Sequence, residues 1–118
     1  MTKSILIVDD DQGIQGILRR ILEGEGYNVE TAENGLVALE KLERSKVDLI
    51  LLDLMMPRMD GYAFVAEFQR RGWQASMPFI ILSANIAAQV EHLGAQSFLT
   101  KPFDIEVLLQ TVSQMVQH

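Results

Sequence analysis

The amino-acid pattern predicts an α/β domain: a doubly wound, five-stranded parallel sheet with five helices. Short apolar runs of four or five residues alternate with stretches of helical period, which is the pattern of strand-helix units whose strands are buried on both faces. Four of these runs end in chemistry-bearing side chains. Ile5-Leu6-Ile7-Val8 enters Asp9-Asp10-Asp11, Leu49 to Leu52 enters Asp53, Phe79 to Leu82 enters Ser83, and Ser97 to Thr100 enters Lys101-Pro102. Finally, 118 residues with 48% hydrophobic and 22% charged side chains suffice for one buried core, so residues 1–118 are expected to form one domain.

The elements follow in order. Ile14, Ile17, Leu18, Ile21 and Leu22 form one stripe of a first helix, which should stop near Gly24 to Gly26. Val29 to Ala32 is the weakest strand, with the look of an edge, and it precedes Asn34-Gly35 and a second helix with Ala38, Leu39 and Leu42 inside. The strand ending at Asp53 leads through Pro57 and Asp60-Gly61, turn formers both, into a third helix carrying Phe64, Val65 and Phe68. Arg70 and Arg71 fall where they complement that helix's C-terminal dipole, and Gly72 ends it. A short helix is expected between Asn85 and Leu93, anchored by Ile86, Val90 and Leu93. After Pro102, Asp104 is a good N-cap for a last helix with Ile105, Leu108, Leu109, Val112, Met115 and Val116 inside; Val107 and Leu109 widen its stripe beyond what a core readily covers.

Composition excludes several function classes. A net charge of -6 argues against nonspecific nucleic-acid or anionic-membrane binding, which needs a basic face. The absence of cysteine excludes disulfides and thiol catalysis. The four apolar residues after Met1-Thr2-Lys3-Ser4 are too few for a signal-peptide core or a membrane span, so a cytoplasmic location is expected.

Parallel doubly wound sheets hold their sites beyond the carboxyl ends of the strands, and every polar residue above lies at such an end. Several carboxylates gathered there would repel one another unless a cation compensates them. With oxygen ligands only, that ion is a hard one, and few carboxylates plus retained waters suit Mg²⁺ better than Ca²⁺. An aspartate beside Mg²⁺, a hydroxyl and a lysine supplies a nucleophile, a clamp, a donor and a fixed charge, the set required for phosphoryl transfer to a carboxylate.

Val8-Asp9-Asp10-Asp11, Asp53-Leu54-Met55-Met56-Pro57-Arg58-Met59-Asp60-Gly61, Ser83-Ala84 and Gly94 through Lys101-Pro102-Phe103 together resemble the receiver domain of two-component response regulators, over nearly the whole chain. The resemblance implies the flavodoxin-like strand order 2-1-3-4-5. It implies that Asp53 accepts a phosphoryl group from a sensor histidine kinase or a histidine phosphotransfer protein. Asp10, Asp53 and the Met55 carbonyl would bind Mg²⁺ directly, with Asp9 acting through water. Ser83 and Lys101 would hold the phosphoryl oxygens, and Phe98 would change rotamer as Ser83 moves. The Lys101-Pro102 bond is expected to be cis. Met55 and Asn85, two positions after Asp53 and Ser83, should flank the water route that sets the phosphoryl lifetime. The output partner is not named by the sequence, and a homodimer is compatible with the family.

Each residue also has an ordinary structural reading. Asp9 to Asp11 can start a helix with Asp11 as N-cap, Asp53 and Asp60 can be turn residues, Ser83 a cap, Lys101 a surface charge and Phe98 plain core. Asp60 is left out of the site. His92 and His118 lack a ligand partner at recognisable spacing, and packing explains Met55, Met56 and Met59. Two other functions fit part of the pattern. An aspartate-nucleophile phosphatase or phosphotransferase of the haloacid-dehalogenase type would carry its nucleophile on the first strand and a cap insertion. A receiver-like interaction domain that is never phosphorylated would usually lack one of the residues kept here. One departure from the family stands out: residues 84–100, between Ser83 and Lys101, are about four fewer than is common, which should remove about one turn of the fourth helix. The family's output geometry around that helix is therefore not carried over.

Overall fold

The computed structural model describes residues 2–54, 60–83, 94–101 and 103–116. Five strands, β1 (Ser4–Val8), β2 (Asn28–Ala32), β3 (Leu49–Leu52), β4 (Phe79–Ser83) and β5 (Ser97–Thr100), form one parallel sheet in the order 2-1-3-4-5. Four α-helices are found among the described residues: α1 (Gln12–Gly24), α2 (Gly35–Arg44), α3 (Gly61–Arg70) and α4 (Ile105–Val116), with a 3₁₀ turn at Trp73–Ala75. The short helix expected within residues 85–93 lies outside the described residues, as do Met55, Pro57, Asn85 and Pro102 with its peptide bond.

The order reverses at β1, and that reversal sorts the helices. α1 and α4 pack on Ile5, Ile7, Leu49, Leu51, Ile80 and Leu82; α2 and α3 pack on Leu6, Val8, Ile50, Leu52, Phe79 and Ile81. Alternate residues of each central strand therefore serve opposite cores, which is why these strands read as unbroken apolar runs. Fully burying each such side chain stabilises the fold by roughly 1.5–3 kcal/mol against leaving it in water. β2 and β5 are the edges, with alternating burial.

Helix boundaries follow from caps. Asp11, Asn34 and Asp60 accept from the N–H of Ile14, Val37 and Ala63 at the starts of α1, α2 and α3. Asp104 accepts from Glu106 and Val107 at the start of α4, as expected. Gly72 closes α3 at φ 74°, a left-handed conformation that favours glycine.

Two core expectations need correction. Ile17 is 58% exposed, because it lines an open apolar groove of about 460 Å³ between α1 and the start of α4, with Ile14, Ile21, Phe103 and Ile105. Ile105, itself half exposed, is the opposite wall, and Val107 is exposed while Leu109 is partly buried. Phe98 is 46% exposed rather than core: β5 is an edge strand, and Phe98 pairs in register with Ile81, on the α2–α3 side of the sheet.

At the amino end of the sheet, where α2 and α3 terminate, charges are matched pair by pair. Arg71 donates to Glu67 at 3.0 Å and to Glu43 at 2.6 Å, and Arg70 also holds Glu67. Hydrogen bonds from Arg70 and Arg71 lower the Glu67 pKa from 4.5 to about 2. The two arginines therefore answer Glu67 as well as the helix terminus. Beside them, Lys46 Nζ stands 3.7 Å over the Trp73 ring, which meets Phe68 in a T-shaped pair.

Candidate functional site

The site lies at the carboxyl end of β1, β3, β4 and β5, where the strand order reverses between β1 and β3. Backbone pairing continues past the strand ends and fixes the reactive residues. Asp9 N–H donates to Ala32 O at 3.0 Å, Asp53 N–H to Val8 O at 2.9 Å, and Lys101 N–H to Ser83 O at 2.8 Å. The sheet thus sets Asp9, Asp53, Ser83 and Lys101 on one rim before any side-chain contact is made.

Three carboxylates, Asp9, Asp10 and Asp53, offer oxygens that all lie within 4.8 Å of one another. Asp9 and Asp53 are buried; Asp10 is exposed. Lys101 Nζ lies 2.7 Å from Asp9 Oδ2 and 3.6 Å from Asp53 Oδ2, so the lysine is bonded to Asp9 and close to Asp53. The other Asp9 oxygen accepts from Asp11 N–H at 2.9 Å. Ser83 is fully buried at the end of β4, next to the backbone of Lys101.

Gly61 has a steric reason to be glycine. A Cβ there would lie 2.5 Å from Leu54 Cα and 2.8 Å from Asp53 O, while its N–H donates to Leu54 O at 2.9 Å. The start of α3 is therefore seated directly on the backbone of Asp53, the central aspartate of the rim, and a side chain would push on it.

The donor set fits a hard divalent cation. Its ligands are carboxylate oxygens, and one lysine does not neutralise three carboxylates. Both Asp9 oxygens already accept a hydrogen bond, which suits contact with an ion through water, whereas the exposed Asp10 carboxylate can meet an ion arriving from solvent. Asp60, left out of the site from the sequence, caps α3.

The sequence brought Asp9, Asp10, Asp53, Ser83 and Lys101 to this rim, and the structure puts them there. Phe98 sits on the adjoining strand with its ring half in solvent. The sequence did not anticipate that Lys101 would hold Asp9, nor that the Gln15 side chain would donate to the carbonyls of Asp9 and Ala32. A polar residue one turn into a helix that leaves an acidic loop was the available signal for the latter.

Comparison with known proteins identifies a family and a fold. The sequence profile of the response regulator receiver domain matches residues 5–113. The transcriptional regulatory protein GlrR of Escherichia coli is 43% identical over 96% of the chain, and the response regulator MprA of Mycobacterium leprae is 38% identical over 96%. The chain spans 26% of the length of the first and 50% of the second. The structure of the response regulator protein TrrA of Thermotoga maritima in complex with Mg²⁺-BeF superposes with a TM-score of 0.86 at 31% identity, covering 97% of this chain and 99% of that one.

Proposed function

Because the chain belongs to the response regulator receiver domain family, we propose that it is a phosphorylation-switched receiver in which Asp53 takes a phosphoryl group from a histidine kinase or a histidine phosphotransfer protein. The observation that carries the reading is the meeting of Asp9, Asp10 and Asp53 with Lys101 set against two of them.

An Asp53 carboxylate oxygen attacks phosphorus, the bond from phosphorus to the donor's nitrogen breaks with its electron pair staying on that nitrogen, and an acyl phosphate forms. Lys101, already 3.6 Å from Asp53, shifts from Asp9 toward the new phosphoryl oxygens, and the Ser83 hydroxyl donates to another. Asp10, Asp53 and the Met55 carbonyl would hold Mg²⁺, with Asp9 reaching it through water. When bound, that ion supplies a Lewis acid that offsets charge on the transferring group. On the family resemblance Pro57 and Pro102 would be turn residues of the site alongside Gly61, and Met55 and Asn85 would tune the lifetime of the acyl phosphate.

Drawing Ser83 toward the phosphoryl group changes the room available to Phe98, whose exposed ring makes it a ready reporter on the output face. The domain acts as a phosphoacceptor that assists its own phosphorylation and dephosphorylation rather than as an enzyme on an outside substrate. This reading puts it in the cytoplasm, with an output partner or a second copy answering the switch, and no nucleic acid bound by this domain.

The test is incubation with acetyl phosphate and Mg²⁺, read by intact mass. Wild type should gain one base-labile phosphoryl group and Asp53→Asn none. Equal labelling of both would overturn the assignment, and no labelling of wild type by acetyl phosphate or a phospho-histidine donor would favour an unphosphorylated interaction domain.

A further inference from the structure

Gln15 stands outside the acid cluster, yet its side chain reaches the backbone on which the cluster is built. Its Nε2 donates both to the Asp9 carbonyl and, at 3.0 Å, to the Ala32 carbonyl. One amide nitrogen carries two hydrogens, so both acceptors can be served at once. These carbonyls lie where β1 and β2 cease to pair; the bridge gives the Asp9 carbonyl a donor and adds a second to the Ala32 carbonyl, which already accepts from Asp9 N–H at 3.0 Å.

The position of the Asp9 carbonyl matters more than its satisfaction. It belongs to the peptide that joins Asp9 to Asp10, and that peptide is a rigid plane, so the direction of the carbonyl and the placement of the Asp10 Cα are one variable. Asp9 is held at three points: its N–H by Ala32 O at 3.0 Å, its carboxylate by Asp11 N–H at 2.9 Å and Lys101 at 2.7 Å, and its carbonyl by Gln15. Asp10, by contrast, is exposed, and its carboxylate reaches the other two acids from the far end of that pinned peptide.

We propose that Gln15 is a positioning residue for the divalent-cation site, aiming the Asp10 carboxylate at Asp53 by fixing the Asp9–Asp10 peptide, without itself touching the ion. The proposal rests on the reading of the cluster as a Mg²⁺ site. A glutamine suits the task because it presents N–H donors to two carbonyl acceptors. A methionine of similar length would leave both carbonyls without that donor and let the peptide turn.

The experiment is calorimetric titration of the protein with Mg²⁺, alongside urea unfolding in chelator. Gln15→Met should bind Mg²⁺ about tenfold more weakly than wild type, the low end for groups that orient metal ligands. Phosphorylation at saturating Mg²⁺ should stay near wild type, and Gln12→Met, a change at an exposed position of the same turn, should bind Mg²⁺ like wild type. A purely structural role would lower urea stability while leaving the Mg²⁺ affinity of the folded protein unchanged, and that result overturns the proposal. Should Gln15→Met not fold, wild type decides by NMR: the Gln15 side-chain amide resonances should shift on Mg²⁺ addition while those of Gln12 do not. Unmoved Gln15 resonances overturn it equally. Wild type that binds no Mg²⁺ at all would instead defeat the reading of the cluster, and this inference with it.

Discussion

At the carboxyl end of the sheet three carboxylates crowd within 4.8 Å, and the cation paired with them among the described residues is Lys101. At the amino end, Glu67 and Glu43 face Arg70 and Arg71, and Lys46 rests on Trp73. The second arrangement is balanced and lies at the surface, where such pairs contribute little to stability and perform no evident task. The first is unbalanced and partly buried, so it is held together by the sheet against its own repulsion and gains from any cation or donor that enters. Electrostatic imbalance, more than the number of charges, separates the working end from the structural end.

The largest effect is expected in the core that supports both ends. Phe68 stacks on Phe64 and meets Trp73 and Phe79 edge-on. Phe68→Ala should destabilise the domain by about 3–5 kcal/mol in urea unfolding, while the folded fraction keeps its Mg²⁺ affinity. A cost near zero would mean that the aromatic cluster does not anchor α3.

Next in size is Lys101→Ala, which strips the acids of their partner. It should cost up to about 3 kcal/mol, the low end for breaking a buried pair, because the lysine is partly exposed. The loss should shrink in millimolar Mg²⁺, which restores positive charge. An equal loss with and without Mg²⁺ would show that the lysine acts by packing.

The smallest effect belongs to the balanced end. The Glu67 pKa falls on folding from 4.5 to about 2. A depressed carboxylate favours folding above its unfolded value and loses that contribution as pH drops through its folded value, so the window runs from pH 4.5 down to about 2. Glu67→Gln should flatten the pH dependence of stability in that window and leave it unchanged near neutrality. A flattening centred above pH 6 would assign the titration to another group.

Much of this was legible in the chain. Ile5 to Val8, Leu49 to Leu52 and Phe79 to Leu82 read as strands because each serves two cores and so carries no polar interruption. The rim residues were legible because parallel strands deliver their last residues to one end. Ile17 and Phe98 misled for a common reason: periodicity says which side of an element is apolar, but not whether a neighbour covers that side. The Lys101–Asp9 bond joins residues 92 positions apart, and no local pattern encodes that the lysine meets Asp9 at 2.7 Å and Asp53 at 3.6 Å. The Gln15 bridge left only a faint signal, a polar residue one turn into the first helix, because a glutamine on a helix surface is ordinary.

If the acid cluster is a strained site relieved by a cation, thermal unfolding of wild type and Asp10→Asn, each in chelator and in millimolar Mg²⁺, will show it. Wild type should melt higher with Mg²⁺, because an ion that binds only the folded state stabilises it. Asp10→Asn should melt a few degrees above wild type in chelator, worth about 1 kcal/mol of relieved repulsion, and should lose most of the Mg²⁺ response. Wild type indifferent to Mg²⁺, or an Asp10→Asn protein that melts lower in chelator and responds to Mg²⁺ in full, would contradict a strained, cation-relieved cluster.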